Sequence, residues 1–154
     1  MLAGSPQGRT AYLDADLHDP VAIVESGEFA ETFDLSEPVA VSLIAILQFI
    51  VEEDEAHRII DALMAPLPAG SVLALSTVTA DSAPEEVTKG VAAYVARGID
   101  EKARDRAEVE GLFAGFELID PGVVLVNRWR PDAAARAFPD EHVHMYGGVA
   151  RKVS

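Results

Sequence analysis

Within Asp14 to Asp19, the first of three stretches whose residue types and place could do chemistry, Asp16 is the candidate. It closes a strand-like run, Thr10 to Asp16, and stands just before the polar turn His18-Asp19-Pro20. In open α/β sheets ligands bind beyond the carboxyl ends of the strands, so an aspartate there can accept hydrogen bonds from a ligand amine. Aspartate also caps its own backbone in turns, and that reading stays open beside the first. The same rule points to Ile46 to Glu53 and to Ser76 to Asp81, which follow two further strand-like runs. The acidic block Glu52-Glu53-Asp54-Glu55 reads as a solvated first helical turn, matched to the helix dipole, with ligand contact as the alternative. Of the four histidines, His142 and His144 are two apart and would face one way on a strand, as a metal requires. No third ligand stands near them, so no metal site is expected. Trp129, between Arg128 and Arg130, reads as an aromatic packed by arginines, with a substrate rim as the alternative.

Several chemistries are missing. The chain has no cysteine, which removes thiol catalysis, disulfides and Cys-based metal sites. It carries no Gly-x-Gly-x-x-Gly, no P-loop, no Gly-x-Ser-x-Gly and no His-Glu-x-x-His. A phosphate-cradling glycine loop is therefore absent although the remaining pattern suits a nucleotide-binding sheet.

The elements that must position these residues alternate. After Thr10–Asp16, Asp19 and Pro20 can start a helix or two short helices reaching Phe33, with Gly27 as the break. Pro38 to Ile44 is an apolar run of the kind found in strands buried on both faces. Ala56, Ile59, Ile60, Leu63 and Met64 share one helix face behind the acidic block, and Pro66 and Pro68 stop that helix. Ser71 to Val78 reads as a strand. Ser82 and Pro84 open a helix with Val87, Val91, Tyr94 and Val95 on one stripe, and Asp105 to Glu108 has capping-box spacing ahead of Val109, Leu112 and Phe113. Phe116–Ile119, Val123–Val126 and Val143–Val153 complete the strands, the last preceded by a polar loop, Pro131 to Glu141, and containing Gly147-Gly148. Alternation implies one α/β domain over residues 1–154: a parallel sheet, helices on both faces, and an antiparallel hairpin at its C-terminal end. The last strand is predicted to insert beside Ser71–Val78.

Composition narrows the setting. The chain has 154 residues, 49% hydrophobic and 25% charged, with a net charge of −14. That charge disfavours nucleic acid and anionic membrane surfaces as partners. Residues 1–9 carry no signal-peptide pattern, and the longest apolar run, Val39 to Val51, is too short to span a bilayer. A cytoplasmic protein is expected.

The joint pattern resembles the class I S-adenosylmethionine-dependent methyltransferases. Tyr12-Leu13-Asp14-Ala15-Asp16-Leu17-His18-Asp19-Pro20 is similar to the segment after their third strand, Pro38 to Ile50 to their fourth strand and following loop, and Pro68 to Ser76 to their fifth strand. Ala107-Glu108-Val109-Glu110, Gly115-Phe116-Glu117-Leu118, Pro121-Gly122, Arg128-Trp129-Arg130-Pro131 and Gly147 to Lys152 resemble, more narrowly, an actinobacterial methyltransferase family long known as a domain of unknown function. The resemblance implies a Rossmann-like sheet, S-adenosyl-L-methionine as methyl donor and a small-molecule acceptor. It implies that Asp16 contacts the adenine amine, that the Leu17 amide meets an adenine ring nitrogen, and that Ile46, Leu47 and Gln48 lie beside the transferring methyl group. The family places two strands and a glycine-rich loop ahead of the segment that opens these 154 residues. The chain is therefore expected to correspond to the C-terminal portion of such a domain, truncated or with its start set late. On that expectation it binds the cofactor weakly on its own and self-associates through exposed strands, as a homo-oligomer. A non-catalytic interaction or regulatory remnant is the alternative, and a different Rossmann-type enzyme such as an oxidoreductase is a third reading.

Overall fold

The computed structural model describes residues 8–154. The signal-peptide reading rests mainly on residues 1–7, outside that range. The sheet is built from β1 (Ala40–Ile44), β2 (Val72–Val78), β3 (Glu117–Leu118), β4 (Val124–Leu125) and β5 (Met145–Arg151). Its order is β1-β2-β5-β3, and β4 also pairs with β5. β1 and β2 are parallel, with Ala40 opposite Val72 and Ile44 opposite Ser76. β5 runs antiparallel to β2, from Val78 opposite Met145 to Val72 opposite Arg151. β3 and β4 both pair antiparallel with β5 on its other side. The last strand thus inserts beside Ser71–Val78 as predicted from the sequence.

The helices are α1 (Pro20–Val24), α2 (Gly27–Thr32), α3 (Glu53–Met64), α4 (Pro84–Val95), α5 (Arg106–Gly111) and α6 (Ala133–Ala137). Asp19 caps α1 through its side chain, with Pro20 in the first turn. Ser26 caps α2 by accepting from the Phe29 amide, so the break between them falls at Glu25-Ser26, and Gly27 begins the second helix instead of breaking the first. The capping box at Asp105 and Glu108 is complete on both sides. All five apolar residues of the α3 face are buried. They join Leu43, Leu73, Leu75, Val109, Leu112, Phe113 and Ala150 in one core. Gly148 lets β5 approach this core closely: a Cβ there would lie 3.0 Å from the Phe113 ring and 3.3 Å from Val123.

Four expectations change. Thr10–Asp16 forms no strand and is exposed along its length, because no described strand lies beside it to take its backbone hydrogen bonds. The α4 stripe is not a core stripe: Val87 is buried, but Tyr94 and Val95 are exposed. The polar segment after Pro131 is not plain loop, since Asp132 accepts from the Ala135 amide and caps α6. The sheet is unevenly covered. Leu43, Leu73 and Leu75 turn into the core, whereas Ala40, Ser42 and Ile44 on the other face of β1 are exposed, Ile44 by 60%.

Candidate cofactor cleft

β1 ends in a tight reversal. Ala45 takes φ of 54°, a left-handed conformation that L-residues adopt at a cost of roughly 1–2 kcal/mol. Its amide is held against the end of β2 by the Ser76 carbonyl at 3.1 Å and the Ser76 hydroxyl at 3.2 Å. The chain then exposes Ile46 and enters a single 3-10 turn, Leu47–Phe49. Facing this turn is the segment 14–18. Between them lies an open cleft of about 560 Å³, lined by Asp14, Ala15, Asp16, Leu17, His18, Ile46, Phe49 and Ile50. That size suits a small-molecule site, roughly 300–1,000 Å³. A smaller apolar hollow of about 150 Å³ lies among Leu13, Ile23, Phe29 and Phe33. It is walled by α1 and α2, and a third depression of about 590 Å³ lies on the α3 surface around His57 and Asp61, so the candidate is the cleft that adjoins the end of β1.

Within the cleft, one oxygen of Asp16 accepts the His18 amide at 2.9 Å, and the Asp16 carbonyl accepts the Asp19 amide at 3.0 Å. The turn-capping reading of Asp16 is therefore real, and it occupies only half the carboxylate. Its other oxygen and the Leu17 amide have no hydrogen-bond partner among the described residues. The turn is tied to α3: His18 Nδ1 lies 3.0 Å from Glu55, and Arg58 donates to the His18 carbonyl at 3.1 Å. The Glu55 hydrogen bond holds His18 above the ordinary imidazole value, and the same contact holds Glu55 below the ordinary carboxylate range.

The structure brings Asp16, Leu17 and Ile46 to one cleft. It does not bring the side chains of Leu47 and Gln48 to its surface. The 3-10 turn rotates both inward, Leu47 wholly into the core and Gln48 to 8% exposure, with its side-chain oxygen buried and unpartnered. Phe49 and Ile50 stand in the wall instead.

Two residues that sequence reasoning passed over hold this wall. Arg104 is fully buried; it donates to the carbonyls of Leu47 at 2.8 Å and Ile50 at 2.7 Å, and to Glu53 at 3.1 Å. The Lys102 amide donates to the Gln48 carbonyl at 2.8 Å, and its ammonium reaches Glu53 and Glu108, each at 3.0 Å. Glu53 thus leaves the solvated-turn reading of the acidic block. Burial works to raise its carboxyl, yet the Lys102 hydrogen bond and the Arg104 charge hold it below the ordinary value. Arg104 sits in the charged string Glu101-Lys102-Ala103-Arg104-Asp105-Arg106, which by composition looks like surface.

The remaining candidates lie elsewhere. His142 ends a 3-10 turn and meets Phe138 edge-on at 6.2 Å, while His144 turns its Nδ1 to the Ser82 hydroxyl at 3.3 Å. Neither is on a strand, so they share no strand face. Arg130 lies over the Trp129 ring at 4.9 Å, in keeping with the packing reading, whereas Arg128 pairs with Asp140 at 2.7 Å.

The cleft adjoins the carboxyl end of β1 in an α/β sheet, the place where open sheets of this kind bind ligands. Comparison with known proteins defines it further. The family profile described as S-adenosyl methyltransferase matches residues 1–153, and the chain belongs to that family. A DUF574 family protein from Streptomyces avermitilis is 47% identical, with a TM-score of 0.93; the match covers 98% of this chain and 58% of that one. A candidate methyltransferase from Thermobifida fusca is 28% identical, with a TM-score of 0.78, over 91% of this chain and 53% of that one. A SAM-dependent methyltransferase from Methanosarcina mazei, 13% identical at a TM-score of 0.50 over 79% of this chain and 65% of that one, shares the fold. The chain spans a little over half the length of its first two structural relatives. No curated protein matches it. Among the described residues no helix is long and apolar enough to cross a membrane.

Proposed function

We propose that the protein takes part in S-adenosylmethionine-dependent methyl transfer to a small-molecule acceptor, with the cleft between residues 14–18 and 46–50 receiving the adenosyl end of the donor. The reading rests on one observation: among the described residues the second carboxylate oxygen of Asp16 and the amide of the next residue, Leu17, have no hydrogen-bond partner, and both residues line the cleft with Ile46, Phe49 and Ile50. An adenine edge offers an amine donor next to a ring-nitrogen acceptor, which is the complement of that pair. The family membership supports the same donor.

When bound, the cofactor supplies a methyl group activated by its attachment to a sulfonium. In-line displacement of that kind depends on positioning and on exclusion of water more than on a catalytic acid. Asp16 would accept from the adenine amine, Leu17 would donate to the ring, and Ile46, Phe49 and Ile50 would keep water from the base. Leu47 and Gln48 would act through the shape of the turn they anchor. Ultraviolet cross-linking of labelled S-adenosylmethionine, followed by peptide mapping, tests the reading. Label is expected on the peptides holding residues 14–18 or 46–50; label confined to other peptides would refute it.

A further inference from the structure

We infer that Arg104 is the positioning residue of the cleft wall: it fixes the 46–50 turn in the shape that a planar base can lie against. The inference rests on the cofactor reading above and extends it to a residue that never touches the ligand.

The turn cannot hold itself. It is one 3-10 turn, closed only by the Phe49 amide on the Ile46 carbonyl and the Ile50 amide on the Leu47 carbonyl, each at 3.1 Å. It also follows a strained left-handed Ala45. A lone 3-10 turn has poor hydrogen-bond geometry and needs outside support. Three of the turn's carbonyls, those of Leu47, Gln48 and Ile50, receive that support from residues 102–104. Arg104 reaches Leu47 and Ile50 with two separate guanidinium nitrogens, and the Lys102 amide takes Gln48 between them. The Arg104 amide donates to the Val78 carbonyl at the carboxyl end of β2. Its Nε meets Glu53 at the start of α3. The buried side chain therefore ties the turn after β1 to the first turn of α3, while the backbone amide of the same residue anchors it to the end of β2. The fork geometry matters: the guanidinium meets the Leu47 and Ile50 carbonyls with two separate nitrogens and keeps Nε for Glu53, whereas the shorter lysine would have to reach all three partners from one ammonium atom. The exposed outer side of the clamped turn is Ile46 and Phe49, the part that lines the cleft.

This separates a positioning role from simple charge balance. If Arg104 only neutralises Glu53, then Arg104→Lys preserves everything. If it shapes the turn, Arg104→Lys keeps the fold and loses the turn. Amide exchange followed by NMR on the full chain, with adenosine as the ligand probe, distinguishes the two. In Arg104→Lys the Phe49 and Ile50 amides should exchange at least tenfold faster than in the wild type while the β2 amides are unchanged, and the adenosine affinity should fall at least tenfold. Arg104→Met should show the same turn loosening; should it fail to fold, Glu53→Gln serves as the second variant. That substitution releases Nε but leaves the two carbonyl bonds, so it should loosen the turn less than Arg104→Lys does. Wild-type exchange and affinity in Arg104→Lys would overturn the inference, as would equal acceleration of turn and β2 amides. If adenosine shifts no resonance of the wild-type chain, the cofactor reading fails, while the exchange comparison still decides whether Arg104 shapes the turn.

Discussion

At the scale of residues, the site divides into groups that would touch a ligand and groups that hold those in place. Asp16 is proposed to do both: one oxygen caps the turn, and the other has no partner among the described residues. Asp16→Ala should therefore weaken binding of S-adenosylmethionine by about 1–3 kcal/mol, the scale of leaving a polar partner unmatched. Calorimetry on a folded mutant checks it, and unchanged affinity would remove Asp16 from the site. Two titrations report on the holding groups. His18 is raised by its Glu55 partner, so the protonated form favours the folded state. That contribution is complete below the unfolded value near 6.5 and fades as pH rises through the folded one. An NMR titration should find the His18 midpoint above that of Glu55→Gln. Glu53 has the opposite sign: its folded carboxyl is held low, so its contribution is present above an unfolded value near 4.5 and is lost as pH falls through the folded one. Denaturant melts of Glu53→Gln should depend less on pH below about 4.5 than those of the wild type.

At the scale of elements, legibility followed periodicity and capping. The α3 face and the Asp105 capping box were readable because repeated apolar spacing and cap chemistry are local signals, whereas the insertion of β5 was expected from the methyltransferase resemblance and from the open edge it covers. Asp16, Leu17 and Ile46 line one cleft, but only Ile46 follows a strand, β1; Asp16 and Leu17 reach it from a segment that forms none. What failed was whatever needed a neighbour. Thr10–Asp16 has strand composition but no described partner, and the α4 stripe has core spacing but only Val87 finds a core. The inward turn of the Leu47 and Gln48 side chains was not legible, because the apolar run Pro38 to Ile50 does not show where its 3-10 turn begins. Arg104 was invisible because its value is wholly long-range: it contacts residues 51 to 57 positions away. The glycine pair in β5 gives a further check. A methyl group at Gly148 would press on Phe113 and Val123, so Gly148→Ala should destabilise the fold by about 1–3 kcal/mol, an ordinary overpacking cost. A melt unchanged from wild type would mean that the Phe113 ring moves aside freely.

At the scale of the whole molecule, the sheet has an open side. β1 is its edge strand among the described residues, and Ile44 on its uncovered face is 60% exposed. Tyr12, at 66% exposure, and Phe33, Val126 and Phe138 add apolar surface. Unpaired edges and such surface favour pairing with another chain, while a net charge of −14 opposes it through a repulsion that salt screens. The chain alone should therefore self-associate, and more so as salt is raised; sedimentation velocity should show Ile44→Lys shifting the population toward monomer. A monomer at every salt concentration would show the open face to be inert. On the proposed reading the cleft meets only the adenosyl end of the donor, so binding should be weak, which NMR tolerates. The most direct test is a titration of the isotope-labelled chain with S-adenosylmethionine to millimolar concentration. The account predicts saturable shifts of the Leu17 amide and of Ile46 and Phe49, with the Trp129 side chain unmoved. No shifts, or shifts confined to residues outside 14–18 and 46–50, would contradict it.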